Sequence, residues 1–114
     1  MDKSKMKKAY KESRRPMGVF RIKSTPDNKV YIGFGTDLPA RINRHKAELK
    51  FGSHRNRELQ ETWDSLGESA FDFEVLDVLD HEENLQSNHA EELRVLVEMW
   101  IRRLEEEGHL IVPL

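Results

Sequence analysis

At 114 residues the chain fits one domain and is too short for two independent cores. It has no cysteine, which excludes a disulfide framework and a thiolate metal site, and no apolar run approaches the ~20 residues needed to span a bilayer. The formal charge of −2 conceals an asymmetry: residues 1–15 hold seven Lys/Arg against two acids, residues 16–71 nine against seven, and residues 72–114 three against twelve. Local basic surface is therefore present for a polyanionic partner, while indiscriminate coating of nucleic acid is disfavoured.

Residues 1–16 are basic, lack sustained periodicity and end at Pro16, so they read as a flexible tail, either solvated or acting as a basic arm against phosphate. They lack the apolar stretch of a secretory signal, and a soluble, cytoplasmic protein is the expectation. Residues 17–114 form the single folded domain.

Residues 18–24 and 29–35 are rich in β-branched and aromatic side chains, and Thr25-Pro26-Asp27-Asn28 between them is turn chemistry: proline presets φ, and Asp and Asn tolerate the tight positions. A hairpin with Ser24 opposite Lys29 puts Ile22 across from Tyr31 and Phe20 across from Gly33 on one face, with Val19, Val30, Ile32 and Phe34 on the other.

Thr36 or Asp37 then caps a helix with Pro39 in its first turn and Gly52 at its end. Leu38, Ile42, His45 and Leu49 share a stripe at ~100° per residue, with Arg41 at its edge. A short helix follows to Leu66, carrying Leu59, Trp63 and Leu66 at i, i+4, i+7. Residues 71–75 alternate with period two as a third strand, and residues 80–88 are a polar connection. From Ala90, Leu93, Leu96, Val97, Trp100, Ile101 and Leu104 form a helical stripe ended by Gly108, after which the apolar residues 109–114 pack back. The order β-β-α-α-β-α gives an α+β fold, a small three-stranded antiparallel sheet flanked by helices.

Several of these pieces carry a pattern. Gly18-Val19-Phe20 and Tyr31-Ile32-Gly33 are paired triplets, Arg41 stands ten residues after Tyr31, His45 follows one turn later, and Glu98-Met99-Trp100-Ile101 sets an acid ahead of an aromatic-Ile pair. Together with the stretch from Gly52 to Val75, this resembles the GIY-YIG nuclease superfamily, over residues 17–104. The resemblance implies a domain that hydrolyses DNA phosphodiester bonds, with Tyr31, Arg41, His45 and Glu98 as catalytic residues and Glu98 holding one Mg²⁺ or Mn²⁺. In that scheme arginine offers a fixed fork to the phosphate and the carboxylate is a hard ligand for a hard cation. Phe20 replaces the tyrosine of the first triplet, and no asparagine follows Glu98, where the family carries one. The same resemblance therefore admits an impaired enzyme or a nucleic-acid-binding module, in which Arg44, Lys46, Arg55 and Arg57 join Arg41 against the DNA backbone.

The residues also have plain structural readings. His45 suits a hydrogen-bonded core position, Arg41 an ion pair with Asp37 or Glu48, and Glu98 surface pairs with Arg94 or Arg102. Tyr31 suits cross-strand packing with its hydroxyl at the rim.

Overall fold

The computed structural model describes residues 16–79 and 89–114; the basic tail up to residue 15 and the polar connection, residues 80–88, lie outside the described residues. Strands β1 (Met17–Ser24) and β2 (Lys29–Gly35) form the expected hairpin, with Ser24 paired to Lys29, Ile22 to Tyr31 and Phe20 to Gly33. Asn28 closes the turn at φ 55°, the left-handed region that asparagine enters more readily than most residues.

Helix α1 (Leu38–Phe51) is capped by Asp37, whose carboxylate accepts from the Ala40 amide at 3.2 Å, and Gly52 ends it. Helix α2 (Arg57–Leu66) is capped by Asn56, whose side-chain oxygen accepts from the Leu59 amide. A single 3₁₀ turn leads into β3 (Phe71–Leu79), and helix α3 (His89–Glu106) is followed by β4 (Leu110–Pro113).

The sheet differs from the expected one. It has four strands in the order β3-β1-β2-β4, and β4 runs parallel to β2, pairing Lys29–Ile32 with Leu110–Pro113. The sheet is therefore mixed, not three-stranded and antiparallel. The apolar C-terminal residues were legible as packing back, but four residues are too few for periodicity to separate a strand from a loop. Parallel pairing also needs a long crossover, which α3 supplies here.

Helices cover both faces of the sheet. On one, Phe20, Ile22 and Tyr31 pack with Leu38 and Leu49 of α1 and Leu59 and Trp63 of α2; on the other, Val19, Val30 and Ile32 pack beneath Leu104, Leu96, Trp100 and Ile101 of α3. Those of these side chains that are fully buried, such as Phe20, Ile22, Val19 and Leu59, contribute about 1.5–3 kcal/mol each from leaving water, before chain entropy is set against it. A bulge between Val19 and Phe20 brings β3 onto Gly18 so closely that a Cβ there would stand 1.9 Å from the Asp77 carbonyl oxygen. The Asp77 carboxylate accepts from the Trp100 indole at 3.0 Å, tying that bulge to α3.

Candidate functional site

The sheet leaves an opening where β4 stops short. The β4 ladder ends at Ile32, Leu114 donates its amide to the Ile32 carbonyl at 3.2 Å, and beyond it Gly33 and Phe34 border a pocket of about 620 Å³. Its walls are Arg41, Arg44, His45 and Glu48 from α1, His54, Arg55 and Asn56 from the following loop, and Val97 and Ile101 from α3.

Arg41 reaches the site across the end of β2. Its Nε lies 3.1 Å from where a Cβ on Gly35 would stand, so glycine lets the guanidinium stem cross the strand. Arg44 shares the pocket and keeps Glu48 within 3.3 Å, one turn along the helix. Among the described residues, neither Arg41 nor Arg55 has a carboxylate within ion-pair distance. Three guanidiniums thus line the pocket against a single carboxylate, itself engaged with Arg44.

The two histidines form a directed pair. The Asn56 amide donates to His54 Nδ1 at 3.0 Å, and His54 Nε2 lies 2.8 Å from His45 Nδ1. Because His54 Nδ1 accepts, the neutral His54 carries its proton on Nε2 and donates it to His45 Nδ1, which leaves His45 protonated on Nε2. Both rings are neutral near pH 7. Burial, then His54, Arg41 and Arg44, push His45 down to about 4 against the opposing pull of Glu48, and burial lowers His54 as well. His45 therefore offers the site an N–H donor rather than a base.

His54 is the residue that sequence reasoning passed over. Its position is set by buried Gln60 of α2, whose side-chain oxygen accepts from the His54 amide at 2.9 Å while its nitrogen donates to the Leu49 carbonyl at 3.1 Å. The available signal was its place two residues before the Asn56 cap, where a side-chain nitrogen can accept from the cap amide.

The sequence-predicted residues do not all converge. Arg41, Arg44, His45, Arg55 and Gly33 line the pocket; Tyr31, Glu98, Lys46 and Arg57 do not. Tyr31 is fully buried among Phe20, Ile22 and Leu59, and its hydroxyl makes no well-formed hydrogen bond. Burial pushes its pKa up, a shift that Thr62 only partly opposes. Lys46 lies over the Phe73 ring at 4.9 Å, and Arg57 is exposed on the first turn of α2. Phe20 is buried under the pocket floor, with its ring 5.5 Å from that of His45 and its tip against Gly33, where any Cβ would come within 2.6 Å of it. Gly18 serves the bulge, not the pocket.

Glu98 is exposed, and the α3 side chains that line the pocket are Val97 and Ile101, one turn apart. A residue following Val97 is rotated by about 100°, which carries Glu98 off the pocket and toward Arg94, whose charge Glu91 and, secondarily, Glu98 favour. Mg²⁺ or Mn²⁺ asks for several oxygen ligands in near-octahedral array. The pocket offers one carboxylate, already paired, among three guanidiniums, and no cluster of three or more His, Cys, Asp or Glu suited to a metal occurs among the described residues. The described residues do not fit the implied metal.

A small mixed sheet with helices on both faces and an arginine- and histidine-lined pocket at its open edge defines an α+β domain with a site suited to an anionic group. The GIY-YIG catalytic domain family model matches residues 16–94, and the chain belongs to the GIY-YIG family. The catalytic domain of homing endonuclease I-TevI superposes with a TM-score of 0.62 at 26% identity, over 84% of this chain and 97% of that one. A mutant form of the same catalytic domain gives 0.61 at 27% identity, over 83% and 90%. Intron-associated endonuclease 1 of Enterobacteria phage T4 is 34% identical over 68 residues, which is 60% of this chain but 27% of that protein. The match thus spans about a quarter of that relative.

Proposed function

We propose that this domain binds DNA by seating a backbone phosphate in the pocket, against the guanidiniums of Arg41, Arg44 and Arg55 and the Nε2–H of His45. The carrying observation is the charge of the lining: three arginines, two of them without carboxylate partners among the described residues, around a neutral histidine donor. Guanidinium forks match phosphate oxygens in geometry, and a neutral imidazole N–H adds a donor without requiring a buried charge. Family membership and the endonuclease relatives support nucleic acid as the ligand.

In this reading the hydrolytic step is impaired. Hydrolysis calls for a group that activates water, and its loss typically costs ~10²–10⁴-fold. Phe20 lacks a hydroxyl, the Tyr31 hydroxyl is sealed in the core, and the basic nitrogen of His45, Nδ1, is already engaged as acceptor from His54. The second reading, cleavage of DNA, is favoured by the relatives, both of which are described as endonucleases.

Two assays separate the readings. Fluorescence anisotropy with labelled DNA is expected to show binding that weakens steeply with salt and needs no divalent cation, and Arg41→Ala is expected to reduce the salt slope by about one. Nicking of supercoiled plasmid in Mn²⁺ is expected to be undetectable. Robust nicking lost in His45→Ala would replace the binding reading with the enzymatic one, and salt-independent binding would remove the phosphate assignment.

A further inference from the structure

The pocket is larger than one phosphate group needs, and its lining falls into two kinds. At about 620 Å³ it lies in the range of roughly 300–1,000 Å³ typical of cavities that enclose whole small molecules. Besides the arginines, the lining includes Ile32, Phe34, Val97, Ile101 and Leu114, which are apolar. Phe34 is 49% exposed although its cross-strand partner Val19 is completely buried. Phe34 thus leaves an aromatic ring half in water on the lining of a cationic pocket.

We infer that the pocket accepts one unpaired nucleotide, with its base against Phe34 and the Val97–Ile101 wall and its phosphate among Arg41, Arg44 and Arg55. The inference deepens the phosphate-binding reading, on which it rests. Every base has a π-face that can stack on an aromatic side chain, so such a site discriminates by strandedness and not by sequence. In a duplex both faces of each base are already stacked, and taking one out requires unpairing and unstacking. The domain should therefore prefer single-stranded DNA, or an unpaired position in a duplex, over continuous duplex. The mixed lining fits a nucleotide better than a second protein: one wall is apolar, the other carries three guanidiniums, and both face the same volume.

The test uses the full chain and fluorescein-labelled oligothymidylate, the same strand paired with oligoadenylate, and a strand of the same length with abasic positions. Anisotropy titrations are run on wild type, Phe34→Ala, Phe34→Tyr and the combined Arg41→Ala/Arg44→Ala/Arg55→Ala variant, with circular dichroism to check that each is folded. The expected result is tighter binding of the single strand than of the duplex. Phe34→Ala should weaken single-strand binding by about 5- to 150-fold, the loss of one stacked base, with duplex binding unchanged. Phe34→Tyr should retain the affinity, and the abasic strand should bind wild type no better than the intact strand binds Phe34→Ala. Equal or tighter binding of duplex, or a Phe34→Ala effect of the same size on both forms, overturns the nucleotide inference while arginine-dependent binding keeps the phosphate reading. Indifference of every DNA form to the triple arginine change overturns both.

Discussion

The two walls of the pocket come from helices on opposite faces of the sheet and differ in kind. The α1 wall presents Arg41, Arg44 and His45 with a single engaged carboxylate, whereas the α3 wall presents Val97 and Ile101. Both helices use one stripe to cover the sheet, yet only α1 turns chemistry-bearing groups toward the opening. α3 keeps its charges outside, with Arg94, Glu98, Arg102 and Arg103 all exposed. The contrast teaches that two helices packed on one small sheet can line a single pocket with walls of opposite character, one cationic and one apolar.

The largest effect should come from erasing the charged wall. Replacing Arg41, Arg44 and Arg55 together by alanine is expected to weaken DNA binding by about 10²-fold or more at low salt and to flatten its salt dependence, as measured by anisotropy. A loss of less than about threefold would mean that the α1 wall is not the contact surface.

Converting the apolar wall should act in the same direction but less. Val97→Glu sets a carboxylate beside the arginines and is expected to weaken binding about tenfold, because the new charge competes with phosphate for the same guanidiniums. Glu98→Gln, one residue on, is expected to leave affinity within about twofold and stability within about 0.5 kcal/mol, as for an exposed surface change. If Glu98→Gln proved the more harmful of the two, the assignment of α3's pocket face would be wrong.

Acidification probes the histidine pair. Unfolded His45 takes a proton near pH 6.5, but the folded residue does so only near pH 4, so between these values the unfolded chain holds more protons. Stability is therefore expected to be fully present above about pH 6.5 and to fall as the pH is lowered toward 4. Urea melts at stepped pH check this, and His45→Asn should flatten the upper part of the decline. The groups around His45 act in both directions, Glu48 favouring protonation and His54, Arg41 and Arg44 opposing it.

The smallest effect concerns Tyr31. Since its buried hydroxyl makes no well-formed hydrogen bond, Tyr31→Phe is expected to leave DNA binding unchanged and to stabilise the fold by up to about 1 kcal/mol, measured as a higher urea midpoint. Loss of binding or of folding on that change would show that the hydroxyl has a role the core position does not suggest.

The sequence by itself determined the hairpin and its register, a first helix capped at Thr36 or Asp37, the two faces of the sheet and the arginine and histidine on α1. Those follow from rules that act within a few residues: turn chemistry, period-two alternation, capping and a wheel of 3.6 residues per turn. Only the tertiary structure decided the rest. The phase of α3 against the pocket separates Val97 from Glu98 by a single residue, and Glu-Met-Trp-Ile reads the same whichever of them faces inward. Tyr31 lies on the expected face, but which end of its ring meets water depends on the helices laid over it. The His45–His54 bond, the Gln60 brace beneath it and the parallel pairing of β4 join segments whose contact no local pattern encodes. The physical reason is common to all three: local rules fix direction within an element, whereas a site is made where elements from distant parts of the chain pack against one another.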